Sequence, residues 1–227
     1  MKILCIDTST SAGSIALVHE NRLLGELLED SPRTHSARLL AGIDALLKNV
    51  NLSISDVDVF AVISGPGSFT GIRIGLTTVK GLAEALGKPI VPITSFEAWV
   101  EKEPAIQGIL VPLIPARRGE IYAAVYERSG SVLNVLSDGI VGEVEGVISR
   151  MSEGHASFIG RGAAQYWEVI QAKGEGYWTV VETDPFLGQP MARIAHQRAS
   201  RGEFCTAQEL TAFYLRRSDA EIHWKER

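Results

Sequence analysis

Short apolar runs separated by polar turns open the chain, and a helical spacing replaces them after residue 36. The runs KILCIDTS, GSIALVHE and RLLGELLED follow one another closely and predict three adjacent antiparallel strands. Apolar residues then recur at steps of three and four, which predicts a first helix with Thr34 or Ser36 as its N-cap. VDVFAVIS predicts a fourth strand, and a glycine-rich loop leads into a second helix that Gly87 and Pro89 end. PIVPITS and SFEAWVEK add a strand and a helix, so the predicted order is βββαβαβα.

The second half of the chain repeats this order. The runs ILVPLIPA, EIYAAVYER and SVLNVLSDGIV predict three strands, and EVEGVISRMSE has the spacing of a helix. ASFIG and YWTVVET predict two further strands, each followed by a helix, in RGAAQYWEVIQAKG and MARIAHQRASRG. Two copies of one pattern predict two like-folded lobes, which we place at residues 1–104 and 105–227.

This order of elements resembles the actin-like ATPase and sugar-kinase superfamily, an α/β fold of the ribonuclease H-like type. The resemblance implies that the first hairpin turn, DTSTSAG, approaches a phosphate, with Asp7 beside a magnesium-bound water. The free N–H groups of a tight turn suit an anion. The alternative is that Asp, Thr, Ser and Gly stand there only because they are the usual turn-forming residues.

The glycine-rich loop SGPGSFTGIRIG joins the predicted fourth strand to the second helix. Its N–H groups and the helix N-terminus would point to one place, which favours negative charge. No Gly-Lys-Ser/Thr follows, and no ribose-binding acid is evident, so the loop is neither a Walker motif nor a dinucleotide fingerprint. The candidate nucleotide contacts are Asp7, Thr8, Gly65, Gly67 and Ser68.

The second helix contains three glycines, Gly71, Gly75 and Gly81, each of which weakens a helix by ~1 kcal/mol relative to alanine. Gly71, Gly75 and Thr78 lie at steps of four and three and form a stripe of small residues that would let another helix approach closely. The first helix also has a mixed polar and apolar surface. We therefore expect these two helices to meet two helices of another subunit; the alternative is that the glycines pack only within their own lobe.

Composition and charge exclude several classes of protein. The 227 residues are 45% hydrophobic and carry a net charge of -5, so the chain lacks the basic excess that holds nucleic acid by phosphate neutralisation alone. Asp7 follows the first apolar run too soon for a secretory signal, and no run approaches the ~18 apolar residues of a membrane span. Cys5 and Cys205 are read as reduced thiols, so we expect a cytoplasmic protein.

The usual motifs of metal sites and hydrolases are missing from the sequence. The five histidines contain no pair with metal-ligand spacing, neither cysteine has a Cys-x-x-Cys partner, and no Gly-x-Ser-x-Gly elbow occurs. We therefore predict no metal site and no catalytic residue. His35, near the start of the first helix, is expected to cap that helix or to lie in an interface.

Five segments together carry a more specific resemblance: ILCIDTST, HSARLL, SGPGSFTGIRIG, ARRGEIYAA and YLRRSDAE. In this order, from the first strand to the last fifteen residues, they resemble the TsaB (YeaZ) family of bacterial tRNA threonylcarbamoyladenosine biosynthesis subunits. The resemblance implies a non-catalytic chain that pairs with TsaD, its metal-bearing paralogue, and forms homodimers alone. The ATPase TsaE binds that pair, and the complex transfers threonylcarbamoyl from its adenylate to N6 of the adenosine beside the tRNA anticodon.

The resemblance also implies where the partners bind. The helix bundle with TsaD, or with a second copy, would use the first two helices, at His35, Leu39, Leu40, Ile43, Gly71, Ile74, Gly75 and Thr78. No resident cofactor is implied, although ATP or ADP could contact the chain at the partner interface, and tRNA would be reached only through the complex.

Two departures from the family pattern stand out, and two other functions stay open. Pro115 replaces the usual Asp before ARRGEVY, which puts a charge-based role for that strand end in doubt, and Phe213 after Ala212 replaces a frequent Pro before YLR. One alternative is an autonomous ATPase or kinase that uses Asp7 and the glycine loops at 65–67 and 160–162. A metallopeptidase is a third possibility, without a motif to support it.

Overall fold

The chain forms two compact units in a computed structural model. The structure describes residues 1–20, 22–30, 38–150, 154–174 and 176–215. The first unit contains Met1–Lys102 and Phe186–Phe213, and the second contains Glu103–Pro185 with Tyr214 and Leu215.

The helices and strands follow the predicted order closely. The first part of the chain forms β1 (Lys2–Asp7), β2 (Ala12–His19), β3 (Arg22–Asp30), α1 (Leu39–Asn49), β4 (Val59–Gly65), α2 (Phe69–Leu86), β5 (Ile90–Thr94) and α3 (Ser95–Lys102). The second part forms β6 (Gly108–Pro115), β7 (Glu120–Ser129), β8 (Val132–Glu143), α4 (Val144–Ile148), β9 (Ala156–Ile159), α5 (Arg161–Gln165), α6 (Trp167–Gly174), β10 (Trp178–Val181) and α7 (Gly188–Ser200). The one predicted helix after β9 is two short helices, α5 and α6.

Each unit is built on a five-stranded sheet, and the two sheets have the same strand order. The first is ordered β3-β2-β1-β4-β5 and the second β8-β7-β6-β9-β10. In both, the first three strands form an antiparallel meander, and the last two lie parallel to the first strand of the unit. The predicted internal repeat is therefore present in the topology.

The core of the first unit lies between its sheet and the helices α1 and α2. Leu39 and Ile43 of α1 and Ile72 and Val79 of α2 share one buried cluster with apolar side chains of β1, β2 and β4. These residues recur at helical steps, which is why each helix buries one face and exposes the other. The two helices therefore cover the same face of the sheet.

The helix α2 begins and ends where its sequence predicts. The Ser68 hydroxyl accepts a hydrogen bond from the backbone N–H of Gly71 at 3.3 Å and so caps the first turn. Gly87 adopts φ +63, the left-handed conformation that ends many helices because glycine has no Cβ to clash there.

The last helix corrects the predicted division into lobes. Residues 186–213 belong to the first unit, although the sequence assigned everything from 105 to 227 to one C-terminal lobe. The reason is packing: α7 buries Met191, Ala192 and Ala195, and a Cβ on Gly188 would lie 2.9 Å from Ala16 of β2. Arg193 also bonds the Glu101 carboxylate at 2.8 Å. Farther along, Cys205 pairs with Ile90 at the edge of the first sheet.

Candidate functional site

The glycine-rich loop packs on the first hairpin of its own unit. The backbone N–H of Ser68 donates to the carbonyl of Ser9 at 2.7 Å, and a Cβ placed on Gly67 would lie 2.5 Å from the same oxygen. On the other side, the Ser95 hydroxyl donates to the carbonyl of Pro66 at 2.7 Å. The loop is therefore held between the turn after β1 and the start of α3.

Asp7 is the last residue of β1 and directly precedes the turn that contacts the glycine-rich loop. It is 1% exposed, and its Oδ1 accepts the backbone N–H of Ser9 at 2.8 Å. The next residue, Thr8, donates its hydroxyl to the carbonyl of Gly71 in the first turn of α2, at 2.7 Å. The structure thus brings together the five candidate nucleotide contacts predicted from sequence.

The same contacts decide how well these residues fit a phosphate. A phosphate site at a loop needs free N–H donors directed at the ligand. Here the N–H of Ser68 is bonded to Ser9, the N–H of Gly71 is bonded to the Ser68 hydroxyl, and the Asp7 carboxylate is buried. The N–H groups of Ser68 and Gly71 and the Asp7 carboxylate are therefore engaged in packing within this unit.

The glycines of α2 have different surroundings, which corrects the predicted stripe. A Cβ on Gly71 would lie 2.0 Å from the carbonyl oxygen of Thr8, and a Cβ on Gly75 would lie 2.5 Å from the Thr8 hydroxyl. Both glycines are buried. They are explained by the close approach of α2 to the turn after β1, within one unit, and they need no partner.

Gly81 is the exception among these glycines. A Cβ at this position would meet nothing within 4 Å, and the residue is exposed. It lies seven residues, or about two helical turns, from Ile74 and three from Thr78, both of which are partly exposed. Gly81 therefore lies on the outer side of α2 with Ile74 and Thr78, whereas Gly71 and Gly75 lie on the inner side.

The predicted contacts on α1 also divide into inner and outer residues. Leu39 and Ile43 are 5% and 3% exposed and belong to the core, whereas Leu40 is 58% exposed. His35 lies outside the described residues. The outer positions on the two helices, Leu40, Ile74, Thr78 and Gly81, are called the α1–α2 surface below.

Two groups of titratable side chains have shifted pKa values. Glu20 accepts hydrogen bonds from the Met1 amine and from His196, at 2.5 and 3.2 Å, and these bonds, that of the amine first, lower the pKa of Glu20 to about 2. Burial raises the pKa of the Cys5 thiol. Burial and the nearby Glu209 carboxylate also raise the pKa of Cys205.

Neither a metal-binding cluster nor a membrane-spanning helix occurs among the described residues. In residues 1–20, 22–30, 38–150, 154–174 and 176–215, no group of three or more His, Cys, Asp or Glu side chains is placed to hold a metal ion. Within the same residues, none of the helices has the length and apolar character needed to span a membrane.

Comparison with known sequences finds relatives along the whole chain. Residues 24–173 match the model of the family described as TsaD: tRNA N6-adenosine threonylcarbamoyltransferase. The tRNA threonylcarbamoyladenosine biosynthesis protein TsaB of Bacillus subtilis is 28% identical, over 100% of this chain and 99% of the relative. The protein of the same name from Haemophilus influenzae is 29% identical, over 99% of this chain and 96% of the relative.

Comparison with solved structures agrees. YeaZ from Pseudomonas aeruginosa is 27% identical and superimposes with a TM-score of 0.80, over 94% of this chain and 99% of the other. Together with the repeated sheet order, this likeness confirms the predicted α/β fold of the actin-like ATPase and sugar-kinase type.

Proposed function

The chain belongs to the family of TsaD, the tRNA N6-adenosine threonylcarbamoyltransferase, and from this we propose that it acts in the biosynthesis of threonylcarbamoyladenosine in tRNA. The proposal is supported by relatives named TsaB, which match it from end to end. Its finer form is that the chain is a non-catalytic subunit: it binds a catalytic TsaD subunit and supports threonylcarbamoyl transfer to N6 of the adenosine next to the anticodon.

The observation that carries the finer form is Gly81. A glycine in an exposed helix interior costs ~1 kcal/mol relative to alanine, and nothing within this chain occupies the space beside it. A missing side chain on an outer face lets the backbone of another helix come close. Leu40, 58% exposed on the neighbouring helix, supplies apolar area to the same α1–α2 surface.

The same surface suits either of two partners. The helices α1 and α2 lie on one face of the first sheet, so a partner that presents two helices would complete a four-helix contact. A second copy of the chain presents the same pair of helices, and a two-fold axis can join two identical patches. We therefore propose that TsaD and a second copy compete for this surface, and that TsaE joins the pair containing TsaD.

The experiment is a paired substitution of two exposed helical glycines. Gly81→Arg places a long cation on the α1–α2 surface, and Gly146→Arg places it on α4 of the second unit, where a Cβ also meets nothing within 4 Å. Each variant is co-expressed with TsaD and purified through a tag on this chain. The proposal predicts that Gly81→Arg loses TsaD whereas Gly146→Arg retains it, with both variants folded by circular dichroism. Equal recovery of TsaD would refute the proposed surface.

Nucleotide and tRNA enter this proposal only through the complex. Because Asp7 is buried and Ser68 is bonded to Ser9, we assign no nucleotide to the loop of the isolated chain. A contact with ATP or ADP at the partner interface remains a prediction, to be checked by calorimetry on the complex and on the isolated chain. An autonomous ATPase would instead turn over ATP without TsaD, and would do so more slowly with Asp7→Ala.

A further inference from the structure

The edge strand of the second sheet exposes apolar side chains on both faces. Val132, Leu133, Val135 and Leu136 are 56%, 38%, 56% and 56% exposed, although they fall within five consecutive residues of β8. Because β8 ends its sheet, no strand of the described part of the chain lies beyond it. Its outer backbone N–H and C=O groups are therefore available to another strand. Residues 132–136 are called the β8 edge below.

The two halves of β8 differ in how they are covered. In the second half, the Leu215 side chain packs on the strand, and a Cβ on Gly139 would lie 2.3 Å from it. Residues 139–142 are accordingly only partly exposed. Among the described residues, none gives such cover over residues 132–136, all of which are exposed. The usual protections of an edge are also scarce: residues 130–137, GSVLNVLS, contain no charge and no proline.

We propose that the β8 edge pairs with the same edge of a second copy of the chain, antiparallel, across a two-fold axis at Asn134. In this register Leu133 faces Val135 of the other copy and Val132 faces its Leu136. Each of the four exposed apolar side chains then lies opposite another apolar side chain. A shift of the axis by one residue either way places Asn134 opposite Val132 or Leu136 and loses this match. Cross-strand apolar pairs of this kind stabilise a ladder.

Charge is compatible with this pairing. Asp138 would face Gly130 of the other copy, and Ser137 would face Ser131, so no two like charges oppose each other. The nearest acid on the adjoining strand, Glu127, pairs with Asn134 within the chain. Its counterpart would lie three strand spacings away, or about 14 Å, which is beyond the screening length of ~8–10 Å at ordinary ionic strength.

The strand pairing between the two copies would be short, so the dimer it forms should be weak. Val135 pairs with Tyr126 and Ser137 with Val125, so Leu136 is an extra residue in a β-bulge that ends regular pairing. About five residues from each copy would contribute, fewer than the 20–30 residues a side of a standard stable interface. The expected assembly is a weak dimer that forms as concentration rises. It uses the second unit, does not involve the α1–α2 surface, and does not depend on the proposed function.

The register is tested by cysteine pairs. All samples carry Gly81→Arg and Cys205→Ser, which removes the α1–α2 surface and the partly exposed thiol. A short bismaleimide should link Asn134→Cys to itself. Ser131→Cys and Ser137→Cys should each stay monomeric alone, because six residues of strand, about 20 Å, separate the identical positions. An equal mixture of these two variants should link. Linking of either one alone, or of none, would overturn the proposal.

The strength is tested by sedimentation of the full chain. Val135→Lys should weaken dimerisation at least about tenfold, because it places a charge in each of two apolar pairs. Leu28→Lys, on the edge strand of the first unit, is the matched control and should change nothing. Deletion of residues 216–227 should leave the dimer unchanged. A dimer that appears only after this deletion would show that this segment occupies the edge, and a chain that stays monomeric at all concentrations would also refute the proposal.

Discussion

Substitution of Gly71 and Gly81 by alanine is expected to have opposite effects, although both residues lie in α2. At Gly71 the new Cβ would stand 2.0 Å from the Thr8 carbonyl oxygen, far closer than atoms can approach. At Gly81 it would meet nothing within 4 Å. Substitution by alanine should therefore destabilise α2 at Gly71 and stabilise it at Gly81.

The magnitudes follow from these distances. Inserting a methyl group into a packed site costs typically 1–3 kcal/mol, and the backbone contact at Gly71 places it at about 3 kcal/mol or above. Alanine recovers ~1 kcal/mol of helix propensity, which leaves a net loss of about 2 kcal/mol. Gly81→Ala has only the gain of about 1 kcal/mol. The two variants should therefore differ by about 3 kcal/mol, on the order of 100-fold in the opening equilibrium of α2.

Hydrogen exchange of peptides from α2, followed by mass spectrometry, measures that equilibrium directly. A third variant sharpens the test, because Gly75→Ala meets the Thr8 hydroxyl rather than a backbone atom. In a Thr8→Ala background the loss at Gly75 should shrink, whereas the loss at Gly71 should remain. If Gly71→Ala exchanged as slowly as the unsubstituted chain, packing of α2 on the turn after β1 would not be what requires the glycine.

Three further predictions concern single side chains. Because hydrogen bonds lower the pKa of Glu20 to about 2 from an ordinary 4.5, its contribution to folding is complete above pH 4.5 and is lost as the pH falls towards 2. Glu20→Gln should therefore be less stable than the unsubstituted chain at pH 7, with a difference that closes over this range in urea titrations. Of the two thiols, Cys205 should react in the native protein, faster as the pH rises, and Cys5 only after unfolding. Ser68→Ala should lose about 1 kcal/mol of stability with its helix cap, measured by exchange in the first turn of α2.

The strand and helix order could be predicted because apolar periodicity is a local property. The runs around β1, β2 and β3 alternate between strand and turn within a few residues, and the helical steps of α1 and α2 are equally local. The repeat of this order then indicated the shared sheet topology of the two units. Periodicity shows which face of a helix is buried but not which sheet buries it. For that reason the sequence does not predict that α7 packs on the first unit, where Gly188 meets Ala16 of β2, far earlier in the chain.

The candidate site shows the same limit more sharply. Sequence reasoning brought Asp7, Thr8 and the glycine loop together correctly, since the ends of neighbouring strands meet at one edge of a sheet. It could not tell that Gly71 and Gly75 face inward, because the atom they accommodate belongs to Thr8, more than sixty positions earlier. Gly81 is also a glycine of α2, but it is exposed and a Cβ there would meet nothing within 4 Å.

The central proposal is that this chain supports tRNA modification without doing the chemistry itself. The direct measurement is the threonylcarbamoyladenosine content of tRNA after incubation with TsaD, TsaE, threonylcarbamoyl adenylate and ATP, with this chain added, omitted, or added as Gly81→Arg. We expect modification with the unsubstituted chain and little without it or with Gly81→Arg, whereas Gly146→Arg should act as the unsubstituted chain does. Full modification without the chain, or modification by the chain in the absence of TsaD, would contradict it.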